Sequence, residues 1–127
     1  MIGAAKPQLR QKTERQRLGA VAEALAAQLL QQAGFVILLR NFRCRGGELD
    51  IVARRGALLV IAEVRLRSSH AFGGAAASIT AAKRRRILLA TRYLLARRPQ
   101  LGELSVRFDA LLAASPGGPM QWIESAF

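Results

Sequence analysis

Along the chain, apolar residues first recur at three- and four-residue steps. Leu18, Val21, Ala22, Leu25 and Leu29 form one stripe between Arg17 and Ala33, which predicts an amphipathic helix. Gly34 then supplies a C-terminal stop. Phe35-Val36-Ile37-Leu38-Leu39 is a continuous apolar run and predicts a buried strand. After a basic, glycine-containing turn at Arg43 to Gly47, the period changes to two. From Gly47 to Ala53, alternation puts Glu48, Asp50 and Val52 on one side of a strand and Leu49, Ile51 and Ala53 on the other. Arg54-Arg55-Gly56 has the length of a hairpin connection. Ala57 to Arg67 predicts the next strand. Its middle is nearly all apolar, as in the centre of a sheet, with Leu59, Ile61, Glu63, Arg65 and Arg67 on one face.

Ser68 to Ala77 reads as a loop containing Gly73-Gly74. A second helix is expected over Ser78 to Arg98, with Ser78 or Thr80 as N-cap and with Pro99 and Gly102 ending it. Leu104 to Leu112 predicts a strand, Ser115 to Pro119 a turn, and Gln121 to Phe127 a short last strand. With 127 residues and no internal repeat, one domain is expected, with residues 1–16 as a flexible basic tail and 17–127 as the folded unit. The order α-β-β-β-α-β-β places the fold in the α/β class, a mixed sheet flanked by helices.

Composition adds the partner class. The net charge of +12 and pI near 11.7 favour a polyanion through counterion release, and nucleic acid is the expected partner. All but three of the twenty basic residues are arginine, so base-composition bias of a GC-rich genome is the competing explanation. A membrane is not expected. No apolar run approaches the roughly 20 residues of a span, and no basic helix has a bulky apolar face. The N-terminus lacks a signal-peptide apolar segment, and the single cysteine, Cys44, suits a reducing compartment, so a cytoplasmic location is expected.

Against this basic background there are only eight acids, and Glu48, Asp50 and Glu63 fall within sixteen positions, on two predicted strands. If those strands pair as a hairpin, the carboxylates can converge. Such a pair is repulsive unless a cation or a proton lies between its members. Oxygen ligands with open water positions suit Mg2+ or Mn2+, which polarise phosphoryl oxygens. Cross-strand ion pairing with Arg43, Arg45, Arg54, Arg65 and Arg67 explains the same spacing, and spacing alone leaves both open. Glu23 is the only charge between Arg17 and Arg40 and lies beside Gly19, Ala26 and Ala27, off the apolar stripe. It is either a solvent-facing glutamate or a carboxylate brought close to another element. His70, alone in its loop, is either a proton carrier beside the metal or simply exposed; Cys44 has no histidine at a spacing for thiol catalysis, and Gly73-Gly74 is not followed by the glycine-lysine-serine/threonine of a nucleotide loop. Tyr93 and the phenylalanines are expected in the core rather than as base-stacking platforms.

Gly19-x-x-x-Glu23, Gly34-Phe35, Asn41-Phe42-Arg43, Gly47-Glu48-Leu49-Asp50-Ile51-Val52-Ala53, Glu63-Val64-Arg65, Ile79-x-x-x-Lys83, Arg107-Phe108-Asp109 and Ala126-Phe127 together resemble the YraN family of small bacterial proteins. That family is similar to archaeal Holliday-junction resolvases of the PD-(D/E)xK, restriction-endonuclease-like superfamily. The resemblance covers about residues 17–127. It implies a restriction-endonuclease-like mixed sheet, with Asp50 and Glu63 as metal ligands, the Val64 carbonyl as a further ligand, and Glu23 as a helical glutamate acting through water. Position 65 departs from the motif, which has lysine there. Arginine stays protonated, with a pKa above about 12, so it can orient and stabilise but not deprotonate a water. Lys83 is an alternative amine, or else an ordinary surface cation.

The expected function is a Mg2+- or Mn2+-dependent nuclease-like protein that binds nucleic acid, DNA ahead of RNA, in branched or distorted form, and hydrolyses a phosphodiester. Glu23, Asp50, Glu63 and Arg65 would carry the chemistry. Arg43, Arg45, Arg67, Lys83 and Arg84 would grip the backbone, and a homodimer is implied by analogy with resolvases. Two alternatives stand beside it: a nucleic-acid-binding module with this fold, catalytically impaired by Arg65, and an assembly partner for an acidic protein or ribonucleoprotein.

Overall fold

A computed structural model describes residues 13–66 and 79–127. Arg67, Ser78, His70, the Gly73-Gly74 loop and the first twelve residues of the expected tail lie outside the described residues. Helix α1 spans Glu14–Gln32, strand β1 Val36–Cys44, β2 Gly47–Arg55 and β3 Leu58–Leu66. Helix α2 spans Ala81–Arg97 and is followed by a 3-10 turn at Pro99–Glu103. Strands β4 (Ser105–Ala113) and β5 (Met120–Ile123) complete the chain. The five strands form one sheet in the order β1-β2-β3-β4-β5, with every pair antiparallel except β3 with β4. The parallel pair requires a crossover, and α2 lies on it. The expected α/β class and element order are both observed.

Local chemistry explains the boundaries. Helix α1 starts at Glu14, three residues before the expected start at Arg17, because Thr13 and Gln16 form a reciprocal capping box: Gln16 N donates to Thr13 Oγ1 at 3.1 Å and Thr13 N to Gln16 Oε1 at 2.9 Å. Residues 14–16 are therefore helix, not tail. Gly34 ends the helix at φ 92°, as expected. Helix α2 takes Thr80 as its N-cap, its hydroxyl accepting from Lys83 N at 3.2 Å. Strand β2 runs through Arg54-Arg55 instead of turning there. Arg55 donates from Nη1 to Ala33 O at 2.8 Å and lies 4.4 Å above the Phe35 ring, so its side chain ties the sheet to the end of α1. The two-residue loop is Gly56-Ala57. Strand β1 extends through the polar residues Arg40 to Cys44 because only backbone pairing with β2 is required at a sheet edge. The last strand stops at Ile123. Ser125 adopts φ 51°, Ala126 N donates to Phe108 O at 2.8 Å, and Phe127 stacks on Phe108 at 5.3 Å.

Two apolar layers flank the sheet. Ala22, Ala26, Ala27 and Leu30 of α1 pack on Ile51, Ala53, Val60, Ala62 and Val64. Ile87, Ala90 and Leu94 of α2 pack on Leu49, Val52, Leu59, Ile61 and Leu112. The buried face of α1 is thus rotated from the expected stripe: Val21 is 45% exposed, while the alanines let the helix backbone approach the sheet. Tyr93 is likewise not core. It is 43% exposed, with its ring 6.3 Å from that of Phe42.

Candidate active site

The alternation expected in β2 fails at one residue, and that residue is Asp50. Leu49 belongs to the α2-side layer, whereas Ile51 and Ala53 belong to the α1 side and Val52 to the α2 side. Pairing of β2 with β3 runs from Arg55↔Leu58 to Ile51↔Ala62 and is recorded no further. There the Asp50 carboxylate replaces a backbone carbonyl: its Oδ2 accepts from Val64 N at 2.9 Å. On the other flank, Asn41 sits between the register pairs Arg40↔Ile51 and Phe42↔Leu49 and adopts φ 54°, a left-handed conformation that asparagine tolerates better than most residues. Both strands change phase at this level. The consequence is that Glu48, Asp50 and Val52 do not share a face.

Asp50 lines an open cleft of about 420 Å3, together with Gln16, Gly19, Ala20 and Glu23 of α1, Asn41, Arg43 and Glu48 of the first hairpin, and Val64 and Arg65 of β3. Glu23 and Gly19 thus reach the same space as Asp50, as their helical spacing allows, while Ala26 is buried in the core. Partial burial raises the Glu23 pKa, and Asp50 and Glu48 raise it further, against the Arg40 charge and the Asn41 side chain.

Glu63 differs from all of these. It follows Leu59 and Ile61 on the α2 face of β3 and is 0% exposed. Neither of its carboxyl oxygens has a hydrogen-bond partner among the described residues. Burial, then the neighbouring Asp50 carboxyl, push its pKa up to about 10, against the charges of Lys83 and Arg65. Asp50 and Glu63 are two acceptors side by side, and only a shared proton or a cation can satisfy both. Neither carboxylate forms an ion pair with a described arginine or lysine, which disfavours the ion-pair ladder for these two acids. Glu48 does pair, loosely, with Arg43 at 3.6 Å on the surface.

The remaining site residues divide. Arg65 reaches the cleft, and its Nε is buried without an acceptor among the described residues. Lys83 is half-buried in the first turn of α2. Arg45 is exposed in the β1–β2 turn. Arg84 turns towards the C-terminus, 5.6 Å above the Phe127 ring. No three Asp, Glu, His or Cys side chains converge among the described residues. Two carboxylates therefore make an incomplete shell, which fits an ion that keeps several waters, as magnesium does.

Residues 22–113 match the model of "Uncharacterised protein family UPF0102". The chain belongs to this family. It is 47% identical over 112 residues to a UPF0102 protein of Methylobacillus flagellatus, covering 87% of this chain and 96% of that one. A UPF0102 protein of Dechloromonas aromatica is 48% identical over 109 residues, 86% of this chain and 87% of that one. One of Xanthomonas euvesicatoria is 45% identical over 113 residues, 89% and 93%. These names carry no activity, so the chemistry of this UPF0102 protein has to be argued from its site.

Two residues matter more than their sequence context indicated. Asn41 provides the left-handed kink opposite Asp50, and an asparagine between Arg40 and Phe42 was the only available signal. Asp109 is fully buried on β4. It accepts from Arg107 Nε and Nη2, both at 2.8 Å, from Trp122 Nε1 at 2.9 Å and from Ser125 N at 3.1 Å. It locks β5 and the C-terminus onto the sheet and is a structural acid.

Proposed function

We propose that this UPF0102 protein is a nuclease-like, divalent-metal-dependent protein acting on a nucleic-acid backbone. One observation carries the reading: Glu63, a buried carboxyl with no donor among the described residues, lies beside Asp50, which lines a cleft shared with Arg65, whose Nε also lacks a partner among the described residues. The first calls for a cation and the second for an anion, which is the pairing a metal-bound phosphodiester presents. Asp50 and Glu63 would hold the ion, with the Val64 carbonyl as the further ligand implied by the family resemblance. When bound, Mg2+ or Mn2+ would polarise the phosphoryl group and acidify a water. Glu23 orients solvent across the cleft, and Arg65 holds a non-bridging oxygen. The net charge of +12 supplies sequence-independent affinity.

Position 65 favours a second reading, a binding module in which Arg65 clamps phosphate without cleavage. Four-way-junction, duplex and single-stranded DNA, incubated with protein and Mn2+, separate the two. Cleavage by the natural protein that disappears in Asp50→Asn supports the first. Binding without cleavage, converted to cleavage by Arg65→Lys, supports the second. Equal affinity for polyglutamate and for every nucleic acid contradicts both.

A further inference from the structure

A second cleft, of about 600 Å3, opens between the β1–β2 hairpin and α2, and the acid-pair reading makes no use of it. Its walls include Arg43, Glu48, Lys83 and Arg86, with Cys44 and the bare backbone of Gly46-Gly47. Arg43 and Glu48 also line the Asp50 cleft, so the two clefts are neighbours that share these two side chains. Among the described residues Glu48 is the cleft's only acid, and Arg43 already lies 3.6 Å from it. Lys83 and Arg86 are three residues apart and share a helix face, which leaves two cations without an acid in the cleft.

Their placement runs against helix electrostatics. Lys83 is in the first turn of α2, where the helix dipole favours acids, and that turn has none. The wall is also fixed. A Cβ on Gly47 would run into Arg86 O and lie 3.0 Å from Ala90 Cβ, and one on Gly46 would lie 2.9 Å from Leu89 Cδ2. The hairpin is therefore wedged onto the helix, holding Arg43 opposite Arg86. A preformed cleft of this volume accommodates a small group such as one nucleotide unit, not a duplex.

We propose that this second cleft is a phosphate-binding subsite for the strand that passes the acid pair, with Lys83 and Arg86 as its principal contacts. This rests on the nucleic-acid reading above but not on metal binding or cleavage. Cys44, the chain's single cysteine, lines the cleft and serves as a reporter. Alkylation of Cys44 by iodoacetamide is followed in EDTA with and without a short oligothymidylate whose binding is measured separately by anisotropy. Saturating oligonucleotide is expected to slow alkylation severalfold. The double variant Lys83→Gln/Arg86→Gln is expected to weaken binding about tenfold at low salt and to lower the salt slope by about 0.7 per lost contact. Arg92→Gln/Arg98→Gln, a charge-matched control on the same helix and its C-cap, is expected to change both much less. Binding with unprotected Cys44, or equal losses in the two double variants, overturns the subsite while leaving nucleic-acid binding intact. No binding to any oligonucleotide overturns both.

Discussion

Asp109 and Glu63 are both fully buried acids on neighbouring strands, one register step apart, since Asp109 pairs with Ala62 and Glu63 with Ala110. Asp109 faces the α1 layer and accepts four hydrogen bonds, two of them from a guanidinium. Glu63 faces the α2 layer and accepts none from the described residues. The same chemical group is therefore used in opposite ways. Asp109 offsets its desolvation with partners and contributes to the fold, whereas Glu63 is left to a proton or a cation and costs stability whenever it ionises.

The largest expected effect is on the satisfied acid. Asp109→Ala strands Arg107 and the Trp122 indole, and a loss of about 3–5 kcal/mol is expected in urea unfolding. A loss below about 1 kcal/mol would show that the network is not the anchor of β5. Gly47→Ala comes next. Its methyl group collides with Arg86 O and must push the hairpin off α2, so a loss of about 1–3 kcal/mol is expected, with faster Cys44 alkylation as the cleft opens.

Glu63 sharpens the contrast through pH. Its folded pKa is near 10 against an ordinary value of 4.5, so between these limits the folded protein holds a proton that the unfolded chain has released. Stability therefore falls as pH rises through this window, by up to about 1.4 kcal/mol per pH unit from this group. Glu63→Gln removes that contribution. Urea unfolding from pH 6 to pH 9 should show the natural protein losing ground to the variant, and parallel curves would contradict the assignment. The smallest expected effect is Thr80→Ala, about 1 kcal/mol, from loss of the N-cap of the helix that carries Lys83.

Much of this was legible in the chain. The apolar patterns located both long helices and, within a few residues, the strands, but β1, expected as a buried strand, is an edge strand with no fully buried residue, because its apolar run lies at the rim of the sheet. Glu63 stood out as an acid inside an otherwise apolar strand. What the periods do not encode is local backbone competition. Strict alternation put Glu48, Asp50 and Val52 together, but Asp50 takes the Val64 N–H and shifts the phase, a choice that depends on a strand fourteen residues away. The α1 stripe is rotated because leucine and valine signal hydrophobicity, whereas the close approach of helix and sheet selects Ala26 and Ala27 beside Ala22. The role of Asp109 was hidden because Trp122 reaches it from the short last strand and Ser125 from the segment after it, whose path no pattern specifies.

In the proposed site, Asp50 and Glu63 would exchange a shared proton for a divalent cation. Calorimetric titration of Mn2+ near pH 8, repeated in two buffers of different ionisation enthalpy, counts that proton. About one proton released per ion bound, with Asp50→Ala abolishing binding and Glu63→Gln releasing none, is the predicted result. Binding with no proton release, or a release unchanged in Glu63→Gln, would contradict it.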